Sequence, residues 1–117
     1  MLKGIGIDII EIKRIEHSVK EFGIKFLNRV YTPAEIAYCK RSGKYKIPEL
    51  AVRFAAKEAY SKALGTGMVG IGWTEIEITN DKKGKPQFKV RGKLQPKAQV
   101  SLSHNHTQAT AMVIIEK

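Results

Sequence analysis

An α+β fold is predicted by three features of the 117-residue sequence. The first ten residues alternate as a strand does. The middle carries helical periodicity that closes in an alanine-rich stretch, and the chain beyond Trp73 reads as extended segments joined by turn chemistry. The predicted architecture is an N-terminal strand, a helical centre and then antiparallel β hairpins, in one domain spanning residues 1–117.

Taken in order, Ile5, Ile7 and Ile9 fall on one side of the first strand and Gly4, Gly6 and Asp8 on the other. This is the pattern of a half-buried strand whose aspartate faces away from its isoleucines. Ile12, Ile15, Val19 and Phe22 then recur at helical spacing, and Gly23 stops the helix. Lys13, Arg14, Glu16, His17, Lys20 and Glu21 are left on its outer surface. After a turn or short helix over 24–30, Thr32-Pro33-Ala34-Glu35 combines a capping box with proline at the first helical position, and a second helix runs from there to about Arg41. Ser42 to Lys46 reads as a basic mobile loop, and Pro48 opens a third helix that ends against Gly65.

At about 100° per residue, the third helix gathers Val52, Ala56, Ala59 and Ala63 into a core stripe. Phe54, Glu58, Ser61, Lys62 and Gly65 fall together on the opposite side. Taken alone, Glu58 and Lys62 are an i,i+4 surface pair contributing about 0.3–0.5 kcal/mol. Trp73–Thr79 and Gln87–Arg91 form a hairpin across residues 80–85, and Ala98–Ser103 and Thr110–Ile115 form another across residues 104–108.

Composition bounds the function. With 21 basic and 11 acidic residues the net charge is +10, so the long-range field attracts polyanions, acidic proteins or phosphorylated ligands. Seven of the basic residues lie between Lys82 and Lys97, where such a run usually marks a soluble edge. The single cysteine, Cys39, excludes an intrachain disulfide and a Cys-based metal cluster, and points to a reducing compartment. Asp8 comes too early for a signal peptide, and no apolar run approaches the roughly 18 residues of a membrane span, so a cytoplasmic location with no membrane partner is expected. At 43% hydrophobic residues the chain can build a core, but a domain this small buries only about 60–70% of its unfolded surface, and self-association would help it.

Several motifs are set aside on physical grounds. Gly65-Thr66-Gly67-Met68-Val69-Gly70 matches the dinucleotide pattern, yet it follows a helix and meets that helix's negative end, where a pyrophosphate would be repelled. It is read as a flexible turn. His104 and His106 have no nearby third ligand for zinc, and Ser103 and His104, adjacent on a strand, point to opposite faces and do not make a nucleophile and base. Asp8 and Glu58 differ in kind. Hard carboxylate oxygens, supplied in ones and twos, are what magnesium uses at phosphate-transfer sites. Spacing alone does not bring the two together.

The segments Gly4-Ile5-Gly6-Ile7-Asp8-Ile9, Arg53 to Gly67, Gly84-Lys85-Pro86 and Ser101-Leu102-Ser103-His104 stand in the order and at the spacing of the holo-acyl-carrier-protein synthase type of phosphopantetheinyl transferase, which the chain resembles over essentially its whole length. The resemblance implies that family's α+β fold and transfer of 4′-phosphopantetheine from coenzyme A to a serine of an acyl carrier protein, for fatty acid biosynthesis. It also implies a homotrimer with sites at subunit interfaces. Asp8 and Glu58 match the family's magnesium ligands, and Lys62 matches a residue beside the pyrophosphate. Lys44, Arg53, Ser61, Gly65, Pro86 and His104 match positions around the coenzyme. Arg14 matches a contact for the acidic carrier, which Lys13, Lys20 and Lys25 would reinforce, although Glu16 and Glu21 depart from the more basic versions of that helix. The rival reading, a small basic RNA-binding module without catalysis, accounts for charge and size. It lacks the interleaved aromatics of a base-stacking platform, since the chain has only four Phe, four Tyr and one Trp.

Overall fold

Two glycines decide how the chain packs. A Cβ at Gly4 would lie 1.9 Å from the carbonyl oxygen of Ala63, and one at Gly6 would lie 1.9 Å from that of Ala59. Strand β1 (Leu2–Glu11) therefore rests backbone to backbone on helix α4 (Ile47–Leu64), an approach that only side chains of minimal size permit. The computed structural model, which describes all residues 1–117, has the α+β architecture expected from the sequence. Between β1 and α4 come helices α1 (Ile12–Phe22), α2 (Ile24–Val30) and α3 (Pro33–Tyr38), then the short strands β2 (Lys40–Arg41) and β3 (Lys44–Tyr45). After α4 come a 3₁₀ turn at Trp73–Glu75 and strands β4 (Ile76–Asn80), β5 (Pro86–Val90), β6 (Lys93–Leu94), β7 (Ala98–His104) and β8 (Gln108–Glu116). No helix is long and apolar enough to cross a membrane.

The main sheet has the order β1-β8-β7, all antiparallel, and a second sheet has the order β4-β5-β6. Both predicted hairpins are present. The pairing of β1 with β8, from Leu2 opposite Glu116 to Glu11 opposite Gln108, joins the two ends of the chain. The β1 alternation holds and Asp8 does face away from the isoleucines, but the packed face is the glycine face. Ile5, Ile7 and Ile9 are 61%, 62% and 61% exposed. Their register partners on β8 include Ile114 and Met112, so the outer face of the sheet is apolar and uncovered in one chain.

Helix α4 has the expected span, and its stripe of Val52, Ala56, Ala59 and Ala63 is buried. The opposite side is not simply solvated, however, because Arg53, Lys57 and Ser61 are also buried. Lys57 is completely enclosed. Its ammonium donates to Glu35 Oε1 at 2.6 Å, to the Val30 carbonyl at 2.6 Å and to the Trp73 carbonyl at 3.0 Å. Glu35 forms the predicted capping box with Thr32, and its second oxygen accepts the Ile78 amide at 2.9 Å. Burial pulls the Lys57 ammonium's pKa down, and the adjoining Glu35 opposes that shift.

Three local expectations change. The second helix ends at Tyr38 rather than near Arg41, because Lys40 and Arg41 pair with Tyr45 and Lys44. Ser42 to Lys46 is thereby part of a paired hairpin and not an irregular loop. Ser42 (φ 53°) and Gly43 (φ 79°) form the two-residue connection of a small hairpin, a turn type that needs positive φ at both central residues. Strand β4 begins at Ile76, since Trp73–Glu75 coils into a 3₁₀ turn while the Trp73 ring stacks on Phe54 at 4.7 Å.

Candidate active site

Asp8 reaches α4 because it shares the glycine face of β1, and Lys62 meets it there. The Lys62 ammonium lies 3.1 Å from Asp8 Oδ1 and 3.0 Å from the Ile7 carbonyl. The surface pair expected between Glu58 and Lys62 is thus replaced by a bridge from helix to strand. Glu58, one turn before Lys62, is half-buried. Its carboxyl is pushed above its usual pKa by burial and then by the charge of Asp8, with Lys62 acting in the opposite sense. Two carboxylates and one ammonium therefore converge from elements far apart in sequence.

The remaining candidates distribute around this cluster. Ser61 is fully buried, and its hydroxyl donates to the Glu58 carbonyl at 2.7 Å, so in one chain it braces the turn beneath Glu58 and does not stand open on the outer side. Gly65 ends α4 in the left-handed region (φ 83°), where a side chain would be strained. Arg53 and Pro86 line a separate cavity of about 360 Å³ between β5 and β7. His104, exposed at the end of β7, lines another of about 540 Å³ with Glu16 and Tyr45. Lys44 is exposed on β3 and Arg14 on α1. One chain thus unites Asp8, Glu58, Lys62, Ser61 and Gly65 at one end of α4. It keeps Arg53 and Pro86 together elsewhere and leaves Lys44, His104 and Arg14 outside both groups.

Sequence reasoning missed the Glu35–Lys57 pair and the partners of Arg53. Arg53 is 1% exposed, and its guanidinium is bonded to the Glu49 carboxylate at 2.9 Å and to Asn80 Oδ1 at 3.2 Å, with Tyr38 beneath it at 4.4 Å. The Glu49–Arg53 spacing of four was the available signal.

The sequence model of the 4′-phosphopantetheinyl transferase superfamily matches residues 4–114. The chain belongs to this superfamily. A holo-[acyl-carrier-protein] synthase from Halothermothrix orenii is 44% identical, over 100% of this chain and 99% of the relative. Among solved structures of this superfamily, the holo-[acyl-carrier-protein] synthase of Neisseria meningitidis is 38% identical with a TM-score of 0.87, covering 100% of both chains. A holo-(acyl-carrier-protein) synthase from Bacillus anthracis, solved in complex with CoA (3′,5′-ADP), is 40% identical with a TM-score of 0.85, over 100% of this chain and 98% of that one. The phosphopantetheinyl transferase fold is accordingly the fold of the whole chain.

Proposed function

We propose that the chain transfers 4′-phosphopantetheine from coenzyme A to a serine of apo acyl carrier protein, releasing adenosine 3′,5′-bisphosphate. The observation that carries this reading is the convergence of Asp8, Glu58 and Lys62 in a chain with this family's fold. In the reaction the serine oxygen forms a bond to the phosphorus that bears pantetheine. The bond from that phosphorus to the bridging oxygen breaks, and the bisphosphate departs with its electron pair. Negative charge grows on the departing group, and fixed charge in a partly dry site stabilises it. The Lys62 ammonium is placed to supply part of that charge. Glu58, or a water it orients, is suited to accept the serine proton.

The donor set also fits magnesium. Asp8 and Glu58 offer hard oxygens, and the charge of Asp8 helps hold the Glu58 carboxyl above its usual pKa, a repulsion that a divalent cation would relieve. These two carboxylates are the ligands the protein would provide. When bound, magnesium neutralises charge on the phosphate oxygens. The exposed isoleucines of β1 support a homotrimer whose contacts cover that face. The separation of Arg53 and Pro86 from Asp8 supports sites completed by a neighbouring subunit, with Lys44 and His104 also brought toward the coenzyme. On α1 the exposed Lys13, Arg14 and Lys20, beside Phe22 at 60% and Ile24 at 56% exposure, form a basic and apolar surface suited to the acidic carrier.

The test is incubation with coenzyme A, magnesium and apo carrier, read by intact mass. Addition of phosphopantetheine to the carrier is expected, and its absence would refute the reading. Asp8→Asn and Glu58→Gln are each expected to lower the rate by about 10²–10³-fold. Full activity in Glu58→Gln would remove the metal assignment.

A further inference from the structure

The cavity between β5 and β7 joins two segments that the sequence presents separately, Arg53 on α4 and the Gly84-Lys85-Pro86 turn. Asn80 makes the connection. Its Oδ1 accepts from Arg53 Nη2 at 3.2 Å and its Nδ2 donates to the Gly84 carbonyl at 3.0 Å. Chemistry fixes the orientation of this amide, because the reverse would set NH₂ against the guanidinium and oxygen against the carbonyl. The turn is also braced from within, since Asp81 Oδ1 accepts the amides of Lys83 and Lys85, each at 2.9 Å. On the other side, Arg53 is tied by Glu49 and stacked on Tyr38, while its buried Nε finds no acceptor in the chain. A single neutral side chain therefore sets the distance between a buried cation with spare donor capacity and the backbone that leads into Pro86.

We propose that Asn80 is a positioning residue that locks the 81–85 turn against the Arg53 guanidinium and so shapes this cavity for the phosphorylated nucleotide end of the coenzyme. This rests on the reading of the chain as a coenzyme A-dependent transferase. Asn80 acts through Arg53 and the turn and takes no part in bond breaking. Its loss therefore weakens recognition of the phosphate-bearing end while leaving turnover of the saturated enzyme unchanged.

The experiment is calorimetric titration of the folded chain with coenzyme A and with dephospho-coenzyme A, which lacks the 3′-phosphate. It is carried out on the parent, Asn80→Ala and Asn80→Ser; serine is too short to span both partners and guards against a folding defect in one variant. The expected result is binding of coenzyme A about tenfold weaker in both variants, unchanged binding of dephospho-coenzyme A, and a raised KM with the parent kcat. Coenzyme A affinity equal to the parent's in either folded variant overturns the inference, as does equal weakening for the two ligands. A parent chain that binds neither ligand overturns the transferase reading and the inference with it.

Discussion

Replacing Gly6 by alanine tests whether backbone contact between β1 and α4 holds the charge cluster together. The new Cβ would stand 1.9 Å from the Ala59 carbonyl oxygen and 2.9 Å from both the Ala59 carbonyl carbon and the Ala63 amide nitrogen. Ordinary contact begins at 3.4 Å. All three atoms are helix backbone, so no change of rotamer relieves the overlap, and β1 must withdraw by more than an ångström. Overpacking of this kind costs about 1–3 kcal/mol, which in a domain near this size lowers Tm by roughly 4–8 °C for each kcal/mol. Asp8 lies two residues along the same face and moves with the strand. A displacement of about 1 Å at a reacting centre costs on the order of 100-fold in rate. Gly6→Ala should therefore melt about 5–20 °C below the parent and transfer phosphopantetheine about 100-fold more slowly at a temperature where it is fully folded. The assay pairs a circular-dichroism melt with intact-mass kinetics. Gly72→Ala is the control, since its Cβ would approach nothing closer than Glu75 Oε1 at 3.4 Å. Parent-like melting and rate in Gly6→Ala would refute the argument.

Lys57→Met strands the buried Glu35 carboxylate and is expected to cost about 3–5 kcal/mol in urea unfolding, much of it recovered in Lys57→Met/Glu35→Leu; a single variant as stable as the parent contradicts this. Glu58 has a folded-state pKa above its unfolded one, so the folded chain retains a proton that the unfolded chain has released. Its contribution therefore makes stability fall as pH rises from the ordinary carboxylate value, about 4.3, through the raised one. Glu58→Gln should flatten that descent in melts recorded against pH in chelator, and an unchanged curve disproves the assignment. Ile7→Glu places a charge on the apolar outer face of β1, and sedimentation should show a trimeric parent and a monomeric variant; a trimer in both excludes that face as the interface.

Features with local causes were legible in the sequence. The Thr32–Glu35 capping box needs partners only three residues apart, and the alternation of β1 and the span of α4 follow from the period of each element. Long-range causes were not. Alternation shows that two faces differ but not which one is packed, and here glycine, with nothing to bury, made the tighter contact. The helical stripe of α4 assumes water on the other side. Arg53 and Lys57 concealed the enclosure because a charged residue signals exposure until its partners, Glu49 and Glu35, are placed. Ser61 looked available because its helical angle sets it opposite the core stripe, yet it is fully buried. Asp8 and Glu58 could be chosen by their chemistry, but their meeting depends on a β1–β8 register and an α4 crossing that span the whole chain. The hairpin at Ser42-Gly43 escaped because serine seldom adopts a positive φ.

The enclosure of α4 also has a kinetic side. Amides of a helix walled in on nearly all sides exchange with solvent only when much of the chain opens, whereas α1 buries Ile12 and Ile15 alone, so its amides are expected to exchange through smaller openings. Glu58 and Lys62 ride on the enclosed helix and Arg14 on the more exposed one. Stiffness sits where charges must be held in register, and pliancy where a second macromolecule must be met.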